Sequence, residues 1–131
     1  IILKDIIIPN TITKVENYAF YAFEGLKSVK ITNSVTSIGN DAFNYCDNLE
    51  KVEIGSSVTS IGHLAFSCKN IKSLTCLATT PPTVNLSFID IDKSIPLYVP
   101  TGCKFVYQSA EYWNKFTNII EVSCWAVNDI F

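Results

Sequence analysis

Residues 35–57 read VTSIGNDAFNYCDNLEKVEIGSS, and the chain at once begins the stretch again. Val58, Ile61 and Gly62 follow Val35, Ile38 and Gly39 at an offset of 23, and Ala65-Phe66 follow Ala42-Phe43 at the same offset. Moving 23 residues toward the N-terminus gives Ile12, Val15, Ala19 and Phe20. A fixed period of this size marks stacked units, each too small to bury an apolar face alone and each covered by the next.

Each unit has two halves. In the first, Leu3, Ile6 and Ile8 align with Leu26, Val29 and Ile31 and then with Leu49, Val52 and Ile54; after the loss of one residue the next copy is Ile71, Leu74 and Cys76. The pattern L-x-x-V-x-I alternates as a strand with one buried face does. Stacked copies then pair as a parallel sheet with neighbours about 4.8 Å apart. In the second half, the columns Ile12/Val35/Val58 and Val15/Ile38/Ile61 predict another short extended segment. Gly39 and Gly62 predict a turn that uses glycine's freedom. Asn40-Asp41-Ala42-Phe43 predicts a helical turn opened by a polar cap. Phe20, Phe43, Phe66 and Phe88 recur at 23, 23 and 22 and predict one buried column.

Beyond Cys76 the pattern weakens. Thr79-Thr80-Pro81-Pro82-Thr83 replaces the regular turn with a stiff one, and residues 80–99 read as a degenerate repeat ending in a strand, Leu97-Tyr98-Val99. After Pro100-Thr101-Gly102 the period changes. Val106, Ala110, Trp113 and Thr117, with Tyr107 and Phe116 alongside, predict an amphipathic helix that closes the open end of the stack. The domain is thus one unit over residues 1–122: a half repeat 1–11, repeats 12–34, 35–57 and 58–79, the degenerate repeat and a cap 100–122. Residues 123–131 have no assignment.

Nearly half of the 131 residues are apolar, which excludes a disordered chain. The net charge is −2, and all ten basic residues are lysines scattered along the chain. Nucleic-acid binders carry a basic stripe, and none is present. No run of about 18 apolar residues could cross a membrane. The chain has no methionine and opens inside a repeat, which predicts a piece of a longer protein or a processed product.

The order L-x-x-V-x-I, V-x-x-I-G, A-F and a following cysteine at 23-residue spacing resembles the BspA-like leucine-rich repeat. The closing residues Thr79-Thr80-Pro81-Pro82, Leu97 to Pro100, Gly102, Tyr107, Trp113 and Phe116 resemble the terminal unit of the same family. Glu16 departs from Gly39 and Gly62, and Phe23 departs from Cys46 and Cys68. Thr11, Ser34 and Ser57 stand where the commoner leucine-rich repeat has its asparagine ladder. The resemblance implies a secreted or cell-surface protein associated with adhesion to host extracellular or cell-surface proteins. The expected fold is of the α/β class: a right-handed leucine-rich-repeat solenoid with a parallel sheet and a C-terminal helical cap.

Residues with chemistry to offer have plain structural explanations. The five cysteines (46, 68, 76, 103, 124) form no C-x-x-C, and the one histidine, His63, stands alone in a turn region where solvent exposure is expected. A zinc site or a cysteine nucleophile needs such partners nearby. Cys46 and Cys68 share a column and could bridge, although Phe23 in that column points to buried free thiols. Ile89-Asp90-Ile91-Asp92 reads as a solvated loop rather than a calcium site. Tyr107, Tyr112, Trp113 and Phe116 read as a cap rather than a sugar platform. No cofactor or metal is expected, and the activity is non-enzymatic.

One surface carries a functional argument. Strand alternation turns Asp5, Ile7, Ser28, Lys30, Lys51, Glu53, Ser73 and Thr75 away from the core. Two parallel rows result, Ile7–Lys30–Glu53–Thr75 and Asp5–Ser28–Lys51–Ser73. They are expected to form the partner-binding face of a protein-binding module; the alternative is a structural spacer in a larger surface protein. The apolar first strand predicts self-association through the N-terminal edge unless preceding residues cover it.

Overall fold

The structure, a computed structural model, describes residues 2–85 and 93–123. It consists of two parallel sheets wound from the same coil. In the first sheet β1 (Lys4–Ile8), β3 (Leu26–Ile31), β5 (Lys51–Ile54), β7 (Ser73–Cys76), β9 (Leu97–Pro100) and β10 (Ile119–Val122) lie side by side in that order. The second sheet holds the short strands β2 (Lys14–Val15), β4 (Ser37–Ile38), β6 (Ser60–Ile61) and β8 (Thr83–Val84). The register keeps the 23-residue columns: Val29 faces Val52, Ile31 faces Ile54, and Ile38 faces Ile61. Chain that returns to the same place every 23 residues can pair only in parallel with its own preceding coil.

The core is the set of columns. Leu26, Val29, Ile31, Phe43, Leu49, Ile54 and Phe66 are wholly buried. The rings of Phe20, Phe43 and Phe66 stack 5.1 Å apart, with interplanar angles of 5° and 7°. Phe43 and Phe66 have no exposed surface, while Phe20, at the N-terminal end of the column, is only partly buried. Phe88 lies outside the described residues.

The turn after Gly39 is not helical. Asp41, at φ 56°, is left-handed, as are Tyr45 in the same coil and Tyr18, Ala22 and Leu64 in neighbouring coils. Cross-coil bonds dictate this: the amides of Asp41 and Phe43 donate to the carbonyls of His63 and Ala65 rather than along a helix. The two glycines also serve a different end from the one expected. A Cβ on Gly39 would lie 2.5 Å from the Asn17 amide nitrogen, and one on Gly62 would lie 2.5 Å from that of Asn40. Neither glycine has a positive φ. They permit close approach of one coil to the next. Glu16 holds the same column position in the coil of residues 12–34.

Polar side chains bind coil to coil. Thr36, Thr59 and Thr83 donate to the carbonyls of Thr13, Thr36 and Thr59. Asn17 Oδ1 accepts from the Asn40 amide and Asn40 Oδ1 from the His63 amide, each at 2.8 Å. Asn40 therefore belongs to a ladder between coils rather than a helix cap. Asn48 and Asn70 reach back to the carbonyls of Glu24 and Asp47. An asparagine ladder exists after all, on the turn side and not at Thr11, Ser34 and Ser57. The thiols of Cys46 and Cys68 donate to the carbonyls of Phe20 and Phe43, and both cysteines are buried and free, as are Cys76 and Cys103.

The helical cap is small. Helix α1 covers only Lys104–Ser109, and a 3-10 turn covers Trp113–Lys115. The face that packs is Tyr107, Trp113 and Phe116; Val106, expected on it, is 41 % exposed. The Tyr107 hydroxyl donates to the Ala78 carbonyl at 2.7 Å and Trp113 Nε1 to that of Pro82 at 2.9 Å. These aromatics are structural anchors on the proline-rich turn. The segment after the helix is not cap but β10, which pairs with β9 as a sixth strand.

Candidate functional site

The outward rows of the first sheet are laid out as the alternation required. Asp5 faces Ser28, Ser28 faces Lys51, and Lys51 faces Ser73; beside them Ile7, Lys30, Glu53 and Thr75 pair in sequence. Between β1 and β3 the pairing slips. Lys4 faces Leu26 while Asp5 faces Ser28, so Lys27 becomes an extra residue at the sheet rim. An unpaired residue bends a strand and re-aims its side chain.

Not all of the rows meet solvent. Ile7 is 62 % exposed, and Asp5 and Lys51 are exposed, whereas Ser28, Glu53 and Thr75 are buried. Alternation identifies the side a residue faces, not how open that side is. Ser28 donates to Asp5 Oδ1 at 2.6 Å, which fixes the carboxylate at the rim. Asp5, Lys27, Ser28, Glu50 and Lys51 together line a cleft of about 250 Å³. Glu50 also pairs with Lys72 at 3.4 Å. Neither Lys27 nor Glu50 stood out in the sequence, because the slip in register that brings Lys27 to the cleft leaves no trace in a 23-residue pattern.

Glu53 is the electrostatic centre of the face. Burial pushes its carboxyl above the ordinary range, and the Lys30 ammonium, 3.5 Å from Oε2, opposes this. Its Oε1 has no partner. A folded-state value above the unfolded one means that the folded chain binds more protons, so stability falls as pH rises from about 4.5 through the folded value. Glu53→Gln is therefore expected to flatten the decline in urea midpoint between pH 4 and 7. Parallel pH profiles for parent and variant would show that burial of this carboxylate is not what destabilises.

The turn side holds a second group of polar and aromatic residues. Tyr18, Tyr21 and Tyr45 are exposed, and the Tyr21 ring contacts those of Tyr18 and Tyr45, with centroids 5.4 and 5.6 Å apart. Tyr45 also lines a separate cavity of about 230 Å³ with Asn44, Asp47, Leu64, Ser67 and Lys69. His63 is half-buried rather than exposed, and its Nδ1 has no partner. The acidic pair Asp90 and Asp92 lies outside the described residues. Among those described, no cluster of three His, Cys, Asp or Glu could hold a metal ion.

The fold and both surfaces can be set against known families. A model of the BspA-type leucine-rich-repeat region matches residues 2–118 as six copies. The chain belongs to this family. Comparison with curated proteins gives no match. BspA-type repeats form a family that is typically surface-associated, and leucine-rich repeats commonly mediate contacts between proteins. Solenoids of this fold are typically non-enzymatic. No helix of the described residues is long and apolar enough to cross a membrane.

Proposed function

We propose that this chain is a non-enzymatic binding module of a secreted or cell-surface protein, which presents its six-stranded sheet to an extracellular protein partner in an adhesion role. The observation that carries the reading is the row Asp5–Ser28–Lys51–Ser73, held in strict register by successive strands, with the cleft of Asp5, Lys27, Glu50 and Lys51 opening across it. A surface preset by backbone pairing loses little freedom on binding, which favours affinity. Charged lysines and carboxylates around one exposed apolar residue, Ile7, suit a contact of moderate, salt-sensitive strength.

The rows also decide which substitution tests the idea. Reversing Lys30 would place a second carboxylate beside buried Glu53 and damage the fold. Lys51 is exposed, and Lys51→Glu with Ile7→Glu should leave folding intact. Binding of purified extracellular-matrix proteins to the immobilised chain is expected to weaken about tenfold or more in that double variant and to fade with added salt. Equal binding by parent and variant at low and high salt alike would place the contact on another surface.

A further inference from the structure

The turn side carries a feature that the sheet face does not explain. Tyr45 and Tyr18 sit at left-handed positions, φ 60° for each, which asparagine, aspartate or glycine would hold at lower cost. Asp41 holds the position equivalent to Tyr18 in the next coil, and Ala22 the position equivalent to Tyr45 in the preceding one. The turn therefore does not need tyrosine, yet tyrosine is present twice, with its ring exposed. A third ring, Tyr21, bridges the two.

The cavity under Tyr45 has the opposite character. Asn44, Asp47, Ser67 and Lys69 bring an amide, a carboxylate, a hydroxyl and an ammonium to a space of about 230 Å³. Asn44 donates from Nδ2 to Asp41 Oδ1 at 2.8 Å, which fixes its amide. Asp47 Oδ1 and Ser67 Oγ are buried without a partner in the protein. Buried oxygens left unpaired are costly, and a ligand that brings donors recovers that cost.

We propose that this cavity and the tyrosine patch form a saccharide-binding site. One sugar ring enters beside Tyr45, and the next lies across Tyr21 and Tyr18. The cavity is smaller than the ~300–1,000 Å³ of sites for drug-sized ligands, which matches a single ring. A pyranose offers hydroxyls that both donate and accept, as a mixed set of carboxylate, hydroxyl and ammonium requires. Its C–H face packs on an aromatic ring, whose face is electron-rich. Two other ligands fit less well. An anion would meet Asp47. A proline-rich peptide would suit the rings, but its prolines have no N–H to give the unpaired oxygens.

The test is a titration of the uniformly ¹⁵N-labelled chain with chitobiose, lactose and cellobiose at millimolar concentration. At least one disaccharide is expected to shift the amides of Asn44, Tyr45, Ser67 and Lys69. Tyr45→Asn should fold with an undiminished thermal midpoint, since asparagine tolerates the left-handed turn, and should bind about tenfold more weakly or worse. Tyr45→Phe, which keeps the ring, should retain most of the binding. Silence of these amides towards all three sugars would overturn the proposal, as would unchanged binding by Tyr45→Asn or a response only to an oligoproline peptide. None of these outcomes bears on the sheet face, which lies on other strands.

Discussion

Phe43→Ala is expected to lower the unfolding free energy by about 3–5 kcal/mol, the usual range for truncating a buried aromatic. Phe43 is the middle described ring of the column, with Phe20 on one side and Phe66 on the other, both at 5.1 Å. The backbone on either side is pinned by hydrogen bonds to adjacent coils, so collapse into the space is restricted. Phe20→Ala should cost less, because Phe20 is already partly open to solvent. Urea unfolding of both variants gives the comparison. A loss below about 1 kcal/mol for Phe43→Ala would mean that the column does not bear the stability its burial implies.

Trp113→Ala is expected to cost a similar 3–5 kcal/mol for different reasons. Its indole is wholly buried, packs edge-on to Tyr107 at 5.1 Å, and donates to the Pro82 carbonyl. Truncation opens a cavity between the cap and the stack and leaves that carbonyl without its donor. Trp113→Phe separates the two contributions: it restores part of the packing but not the bond, and should recover most of the loss except for about 1 kcal/mol. If Trp113→Phe is as damaging as Trp113→Ala, the hydrogen bond rather than the packing holds the cap. A solenoid depends on its terminal unit, so the loss should appear as global unfolding and not as fraying confined to residues 97–123.

The columns were legible because a constant period leaves each apolar residue one neighbour above and one below. Leu26, Val52, Ile54 and Phe66 are buried where alternation and spacing put them. Conformation inside the turn was not legible. Asn40-Asp41-Ala42-Phe43 has the local make-up of a capped helical turn, but bonds from Asp41 and Phe43 to the next coil outweigh that preference. Gly39 shows the same limit, because its role depends on an atom of Asn17, a residue 22 positions away. In the closing unit, the spacing of Val106 to Thr117 suggested one long helix, whereas Ala110 is extended and ends α1. Of the candidate face, the pairing of Asp5, Ser28, Lys51 and Ser73 was readable from alternation. The burial of Glu53 and Thr75 was not, since side does not determine depth.

The polar ladders between coils all run one way. Thr36, Asn48, Thr59, Cys68, Asn70 and Thr83 each donate to a carbonyl in the coil before their own, and the amides of Asn40 and His63 do the same to asparagine oxygens. Tyr107 and Trp113 follow the rule from the last unit. This gives the molecule an arrow of construction. A nascent chain leaves the ribosome N-terminus first, at roughly 5–20 residues per second, so each rung of these ladders emerges to find its acceptor already made. The turn amides of Asp41 and Phe43, by contrast, wait for the coil that follows.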